Sequence, residues 1–190
     1  MTPRRRESYA ERRERRWAVD DPAVVLEAAA RFLEARSRSV DEVRRRLTTA
    51  GYRADLIDGA IARMTELGML DDEAFARAWV ESRDRARPRG ERALQNELRL
   101  KGIDRSVVDL VLEERRTTED TTAVPDRVAA ERLMAKHART LDRITDPRRR
   151  RERAYALLAR NGFDPDTCRE VAAGVGTRDD VDDLDASTPA

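Results

Sequence analysis

One short signature occurs three times in this 190-residue chain and restricts the folds open to it. A leucine is followed four positions later by a glycine and then by an apolar residue, at Leu47–Tyr52, Leu98–Ile103 and Leu158–Phe163. The leucine suits the buried face of a helix, and the glycine suits the left-handed residue that often ends one. The glycines are 51 and 60 residues apart. This period predicts a tandem array in which each repeat buries a face against its neighbours.

Each repeat is predicted to contain three helices, because start and stop signals alternate with apolar residues at helical spacing. Ser39 and Glu42 have capping-box spacing, and Asp71 is predicted to cap the helix that follows it. In that helix we expect Phe75, Ala78, Trp79 and Ser82 to face inward. The predicted repeats span residues 21–69, 70–116 and 126–176, with a linker at 117–125 that explains the longer glycine interval.

The composition favours an all-α fold over a strand-rich one. Charged residues make up 41% of the chain and aromatic residues 4%. Alanine, leucine, arginine and glutamate dominate, and these residues form helices well. Val, Leu, Ile and Phe together account for just under a fifth of the residues, which predicts a thin core divided among short helices. The net charge of +1 is not the large imbalance that disordered chains usually have.

The two ends of the chain are predicted to be disordered and oppositely charged. Residues 1–20 hold seven arginines without an apolar stripe, which predicts a disordered basic arm. Residues 177–190 hold five aspartates and one arginine, which predicts a disordered acidic tail. The sequence has no apolar run long enough to span a membrane and no secretory signal. We therefore expect a cytoplasmic monomer without membrane contact.

No group of residues has the spacing of a catalytic or metal site. Cys168, the single cysteine, occupies an apolar helix position and is predicted to be a core thiol. His137, the single histidine, lies within a helix without a partner at a suggestive spacing. Asp71, Asp72 and Glu73 fit the capping of a helix start better than the binding of a metal. We predict no enzyme activity, no cofactor and no metal.

Basic residues recur near the start of the second helix of each predicted repeat. If the repeats stack in register, these residues form a basic stripe along one edge that could bind a polyanion or an acidic protein groove. The alternative is that they are ordinary solvated helix faces interspersed with acidic residues. The predicted binding residues are Arg36, Arg38, Arg44, Arg45, Arg87, Arg89, Arg92, Lys101, Arg148 and Arg149, with Arg46, Arg150 and Arg151 in the same clusters.

The central repeat closely resembles the signature of the RecX regulatory proteins. The upstream residues Ser39, Glu42, Val43, Leu47 and Gly51 fit the same family, and the resemblance extends over residues 23–175. The third repeat departs most, because Thr167 and Cys168 replace an aliphatic pair. The central residues that match are Leu70, Asp71, Asp72, Phe75, Ala76, Val80, Arg83, Gly90, Glu97, Leu98, Lys101, Gly102 and Ile103.

The resemblance implies a bacterial modulator of the RecA recombinase that has no chemistry of its own. RecX proteins are elongated, curved arrays of three-helix repeats that bind RecA–single-stranded-DNA filaments. They inhibit ATP hydrolysis, strand exchange and the co-protease action of RecA on LexA. The resemblance leaves open whether inhibition works by capping filament ends or by occupying the filament groove. Asp71, Asp72, Phe75, Gly90, Leu98 and Gly102 would then be the structural signature, and RecA and single-stranded DNA the partners.

Two other functions remain open from the residues alone. Three-helix units also occur in proteins that read duplex DNA, so a direct DNA-binding regulator is one alternative. A helical scaffold for another protein is the second. Sequence-selective binding of duplex DNA without RecA would favour the first, and the absence of both RecA and nucleic-acid binding would favour the second.

Overall fold

The computed structural model describes residues 7–117 and 125–175, and within these ranges the chain forms helices and no strands. The predicted all-α fold is confirmed, and after α1 the helices follow in three sets of three. In chain order they are α1 (Tyr9–Trp17), α2 (Pro22–Leu33), α3 (Val40–Ala50), α4 (Ala54–Glu66), α5 (Asp72–Ala86), α6 (Glu91–Leu100), α7 (Arg105–Thr117), α8 (Pro125–Leu141), α9 (Pro147–Arg160) and α10 (Pro165–Ala173).

Local signals in the sequence set the ends of these helices. Both hydrogen bonds of the capping box between Ser39 and Glu42 are present at the start of α3. The repeated glycines that follow α3, α6 and α9 have φ angles of +103°, +77° and +84° at Gly51, Gly102 and Gly162. A residue with a Cβ is strained in this region, so glycine suits all three turns. The repeated signature thus encodes the end of the second helix in each set.

The chain divides into two compact units, and the three points at which it passes from one unit to the other all fall inside the second predicted repeat. Unit 1 comprises the described residues of Met1–Ala76 and Arg99–Val107, and unit 2 those of Arg77–Leu98 and Val108–Ala190. The predicted repeat boundaries at 21–69, 70–116 and 126–176 stay predictions.

Each unit has a core of small and aliphatic side chains. In unit 1, α2, α3 and α4 bury Val25, Val43, Leu47 and Met64 around one cluster. In unit 2, α8, α9 and α10 bury Leu133, Leu158, Phe163 and the thiol of Cys168. Burial raises the pKa of the Cys168 thiol. The prediction of a core thiol is confirmed.

The inward face of α5 differs from the prediction. Phe75, Ala76 and Val80 are buried, whereas Ala78 and Ser82 are exposed. Counted from Phe75, the buried residues lie at positions i, i+1 and i+5, whereas the predicted face has positions i, i+3, i+4 and i+7. The buried face of α5 is therefore rotated about the helix axis relative to the predicted face. The apolar pattern of this highly charged helix is weak, so contacts with neighbouring helices decide which side of α5 is buried.

The predicted disorder of residues 1–20 is wrong for residues 9–17, which form α1. Ser8 and Glu11 form a capping box at its start, and two hydrogen bonds join α1 to the end of α3. The Tyr9 hydroxyl donates to the Thr49 carbonyl oxygen at 3.0 Å, and Arg16 Nη1 donates to that of Ala50 at 3.2 Å. An apolar stripe is therefore not needed to fix this helix. Residues 1–6 of the predicted arm, residues 118–124 of the predicted linker and the whole predicted acidic tail at 177–190 lie outside the described residues.

Candidate functional site

Consecutive repeats are joined by hydrogen bonds at the start of the second helix, and unit 1 shows the pattern. The Ser39 hydroxyl donates to the carbonyl oxygen of Lys101 at 2.6 Å. The next backbone N–H, that of Val40, donates to Asp72 Oδ1 at 2.9 Å. Burial raises the pKa of Asp72 even though this N–H stabilises its carboxylate. Asp72 therefore joins the start of α5 to the start of α3.

Unit 2 repeats this joint with different side chains. The backbone N–H of Gly90 donates to the Asn161 carbonyl oxygen at 3.0 Å, as the Ser39 hydroxyl does to Lys101. The N–H of Glu91 donates to Asp126 Oδ2 at 3.0 Å, as that of Val40 does to Asp72. Arg115, whose side chain is only 7% exposed, pairs with Asp126 at 2.6 Å and holds the carboxylate in place. The two joints thus use equivalent positions of successive repeats.

Helix α1, which precedes the first repeat, contacts the end of α3 in the way that α3 contacts the end of α6 one repeat later. Thr49 and Ala50 precede Gly51 as Leu100 and Lys101 precede Gly102. The carbonyl oxygen of Leu100 accepts from Arg45 Nη2 at 3.1 Å, whereas that of Thr49 accepts from Tyr9 of α1. Side chains of α1 thus satisfy the carbonyls that α3 satisfies one repeat later, as expected of a terminal capping element.

The residues of the predicted structural signature lie in these joints or in the core. Asp71 Oδ1 accepts from the Ala74 N–H at 2.9 Å, which is the hydrogen bond of an N-cap. Phe75 and Leu98 are buried. A Cβ on Gly90 would lie 2.3 Å from the Gly162 carbonyl oxygen. The backbone at Gly90 lies so close to that of Gly162 that only glycine fits there.

Most of the predicted basic residues of unit 1 are engaged within the protein. Glu42 pairs with Lys101 at 2.7 Å and with Arg36 at 3.0 Å. Burial alone would raise the pKa of Glu42, but the hydrogen bonds and charges of Lys101 and Arg36 outweigh it and lower the pKa to about 2. Arg45 pairs with Asp41 at 2.7 Å. These cations have structural contacts that a ligand would have to replace.

The other two predicted cations of unit 1 also have partners. Arg44 is paired with Asp58 across α3 and α4. The Arg38 guanidinium carbon lies 4.3 Å from the centroid of the Phe32 ring, at cation–π distance. The sequence placed all five cations on one predicted stripe, and their internal partners distinguish them from freely exposed arginines.

Unit 2 separates its predicted basic residues into two groups. Arg89 is half-buried, donates from Nη1 to Asn161 Oδ1 and lies 3.5 Å from Glu97. Arg87 and Arg92 are exposed, and neither guanidinium has a carboxylate partner within the described chain. Arg89 is therefore part of the second joint, whereas Arg87 and Arg92 are available to a ligand.

The exposed side of α9 has the densest group of available cations in its unit. Arg148 and Arg149 are 86% and 80% exposed, with local partners at 3.3 Å and 3.6 Å. Arg151 and Arg153 are exposed and have no ion pair among residues 7–117 and 125–175. Arg150 is buried instead and donates to the Ile144 carbonyl oxygen at 3.0 Å. We refer to Arg148, Arg149, Arg151 and Arg153 as the α9 arginine face.

Arg153 was not among the predicted binding residues, although the sequence contains a signal for it. Arg153 follows Arg149 by four positions, so the two side chains lie on the same side of α9. Arg150 lies four and eight positions before the buried Ala154 and Leu158 and shares their side of α9, whereas Arg151, three and seven positions before them, is exposed. The helical period of the arginine run therefore indicates Arg153, and only the structure separates Arg150 from Arg151.

Family models match the first two repeats of the chain. The model described as the first three-helix domain of RecX matches residues 26–64, and that of the second matches residues 71–112. A regulatory protein RecX from Mycolicibacterium vanbaalenii is 35% identical over 139 residues, which cover 70% of this chain and 72% of that protein. The chain belongs to the RecX family.

Other RecX proteins agree with this assignment in sequence and fold. RecX from Mycobacterium marinum is 35% identical over 141 residues, covering 74% of this chain and 78% of the relative. The crystal structure of RecX from Lactobacillus salivarius superposes with a TM-score of 0.68 at 19% identity, covering 83% of this chain and 98% of that one. At that identity the superposition shows the shared fold.

The matched segments cover the signature but not the α9 arginine face. Asp71, Asp72, Gly90 and Gly102 lie within the segment matched by the second RecX domain model, and α9 lies beyond it. The segments matched by the RecX models therefore include the joint residues Asp72 and Gly90, whereas their counterparts Asp126 and Asn161 lie beyond them.

The described residues hold no group of three or more His, Cys, Asp or Glu placed to bind a metal ion. None of the helices at 7–117 and 125–175 is both long enough and apolar enough to cross a membrane.

Proposed function

We propose that this RecX-family protein is a cytoplasmic negative modulator of the RecA recombinase. It binds RecA–single-stranded-DNA filaments and inhibits ATP hydrolysis, strand exchange and the co-protease action on LexA. The observation that carries the proposal is membership of the RecX family over most of the chain. Binding alone suffices for this role, and the protein acts through contacts rather than through a reaction of its own.

The α9 arginine face is the part of the chain best suited to contact the DNA phosphates of such a filament. Its local ion pairs are highly exposed, and exposed pairs of this kind contribute about 0–1 kcal/mol. Exchanging them for phosphate contacts therefore costs little. Displacing Lys101 or Arg36 from Glu42 would instead leave a half-buried carboxylate without its partners.

Arg87 and Arg92 supplement this surface within unit 2. Both are exposed and lack carboxylate partners in the described ranges, and they flank the buried joint at Gly90. Several weak contacts on one chain act at a high effective concentration, so each contact can be modest. The predicted stripe thus includes cations that are available to a ligand and cations that hold the repeats together.

The first experiment measures single-stranded-DNA-dependent ATP hydrolysis by RecA from the same organism while the full chain is titrated in. We expect inhibition. Inhibition far below equimolar protein would support the capping of filament ends, and inhibition near one chain per several RecA subunits would support occupation of the groove. No inhibition by a folded chain at any ratio would overturn the proposal.

A pair of substitutions tests the contribution of the α9 arginine face. Arg149→Gln together with Arg153→Gln should raise the protein concentration needed for half inhibition about tenfold. Loss of two phosphate contacts should also reduce the slope of log affinity against log salt by about 1.4–1.8. The matched control is Arg31→Gln with Arg63→Gln, which removes two exposed helix arginines of unit 1. Equal inhibition by both double variants would exclude the α9 contact without excluding RecA modulation.

A further inference from the structure

Unit 1 contains a groove along the exposed side of α3 that the proposed function does not use. Glu42, Arg45, Arg46 and Thr49 form its floor at i, i+3, i+4 and i+7 spacing. Phe32 of α2 forms one wall, and Leu100 and Lys101 at the end of α6 form the other. We call this the α3 groove; its volume is about 450 Å³.

One wall of the α3 groove is unusually apolar for an exposed position. Leu100 is 77% exposed, more than any other large apolar side chain in the described parts of the chain. The Lys101 residue beside it is fixed by Glu42 and by Ser39, so the wall is anchored in the joint. An apolar group that covers Leu100 gains free energy by removing this surface from water.

Basic side chains outnumber acidic ones in the remainder of the groove, where Arg45, Arg46 and Lys101 accompany the Glu42 carboxylate. Arg46 is exposed, and its guanidinium has no carboxylate partner among the residues that the structure describes. Its guanidinium carbon lies 5.6 Å from the centroid of the Phe32 ring, which holds the side chain toward the groove. Arg45 lies one position earlier and is more than half exposed despite its pair with Asp41. The groove therefore presents one exposed guanidinium without an ion pair, that of Arg46, and beside it the partly exposed guanidinium of Arg45, whose contacts with Asp41 and the Leu100 carbonyl oxygen a ligand would have to share or replace.

We propose that the α3 groove binds an acidic segment of a partner protein that carries a bulky apolar side chain. The carboxylates of the segment contact Arg46 and Arg45, and its apolar side chain covers Leu100. A guanidinium binds a carboxylate through two parallel hydrogen bonds, which suits this arrangement. This binding is independent of the α9 arginine face and of RecA modulation.

The groove chemistry favours a protein segment over single-stranded nucleic acid. Nucleic-acid strands bind through phosphate contacts and by stacking bases on open aromatic faces. The Arg38 guanidinium already occupies a face of Phe32 at 4.3 Å. A phosphate backbone would also leave Leu100 uncovered.

Fluorescence anisotropy of the full chain with labelled synthetic peptides tests the proposal. The probes are 14-residue peptides of glutamate with two leucines, spaced two, three or four positions apart to allow extended or helical binding. The two control sets replace leucine with serine or glutamate with glutamine. We expect saturable binding of at least one acidic leucine peptide below about 1 mM, and at least fivefold weaker binding of its two controls. No binding by any probe, or equal binding by the serine set, would overturn the proposal.

Substitutions place the peptide in the α3 groove. Leu100→Ser should weaken binding about tenfold, and Arg46→Gln about threefold at low salt with less effect at high salt. Leu67→Ser and Arg31→Gln are matched exposed positions of unit 1 and should leave the affinity unchanged. Equal effects of target and control substitutions would overturn the assignment. Competition by oligo(dT) that depends on Arg46 and Leu100 would instead identify the groove as a nucleic-acid site and overturn the proposal.

Discussion

Gly102 lies against Asp41 so closely that a Cβ on the glycine would be 2.3 Å from the Asp41 Cβ. The glycine also has a φ of +77°, where residues with a Cβ are strained. Two separate physical reasons therefore require glycine here. One is local to the turn, and the other arises because the end of α6 packs against the start of α3.

Gly102→Ala should destabilise the protein by about 2–4 kcal/mol, because backbone strain and steric overlap both contribute. Gly68→Ala is the matched control, since Gly68 has a φ of +68° but no heavy atom within 4 Å of the added Cβ. The control should lose only about 1 kcal/mol. Urea denaturation of both variants measures the difference, and equal losses would contradict the packing contribution.

Gly90→Ala should destabilise the protein by about 1–3 kcal/mol although its φ lies outside the left-handed region. The added Cβ would meet the Gly162 carbonyl oxygen and the Phe163 nitrogen, both at 2.3 Å. Gly59→Ala provides the opposite case, because Gly59 lies within α4 and its Cβ would meet nothing within 4 Å. That variant should gain about 0.5–1 kcal/mol in helix propensity. Thermal unfolding that moves both variants in the same direction would contradict this account.

Arg87→Gln and Arg89→Gln should differ in stability. The Arg89 guanidinium is bound to Asn161 and near Glu97, so its loss should lower the free energy of unfolding by about 1–2 kcal/mol. Arg87 has no ion pair in the described ranges, and its loss should change stability by less than about 0.5 kcal/mol. Circular-dichroism melts of the single variants test this, and equal melting temperatures would place Arg89 outside the joint.

Glu42→Gln should destabilise the protein at pH 7 by about 1–3 kcal/mol and have little effect near pH 2. The folded protein lowers the pKa of Glu42 from 4.5 to about 2. The stabilisation by the charged form is therefore present above pH 4.5 and is lost as the pH falls from about 4.5 to about 2. Unfolding measured at several pH values for the parent and the variant should show converging stabilities. A difference that is constant with pH would show that the charge of Glu42 does not stabilise the fold.

Asp71→Ala should lower the free energy of unfolding by about 0.5–2 kcal/mol, because the Ala74 N–H loses its capping acceptor. Asp71→Asn retains an acceptor oxygen at the same position and should lose much less. Hydrogen exchange of the Ala74 amide reports the cap directly and should accelerate in the alanine variant. An unchanged exchange rate would mean that the cap does not protect this amide.

Some features were predicted correctly because their causes are local. The capping box at Ser39, the cap at Asp71 and the positive φ of Gly102 depend on groups within about one helical turn. The sequence also singled out Asp72 through the resemblance to RecX proteins. It did not indicate the joint between repeats in which Asp72 takes part, because Asp72 contacts a backbone group 32 positions away.

The two incorrect predictions from the sequence also share a physical cause. Helix α1 was missed because polar contacts fix it to α3, and polar contacts have no periodic signal in the sequence. The predicted inward face of α5 was wrong because a highly charged helix gives only a weak apolar pattern. In both cases the partner that decides the outcome is distant in the chain.

The sequence by itself determined the all-α fold, the ends of the helices and their three-helix period, because capping residues, glycines and apolar spacing act over a few residues. Only the tertiary structure decided which cations are available to a ligand. Lys101 meets Glu42 across 59 positions and Arg89 meets Asn161 across 72, whereas the α9 arginine face has only local partners. An arginine looks the same in the sequence whether or not folding brings a carboxylate to it, and packing alone makes that distinction.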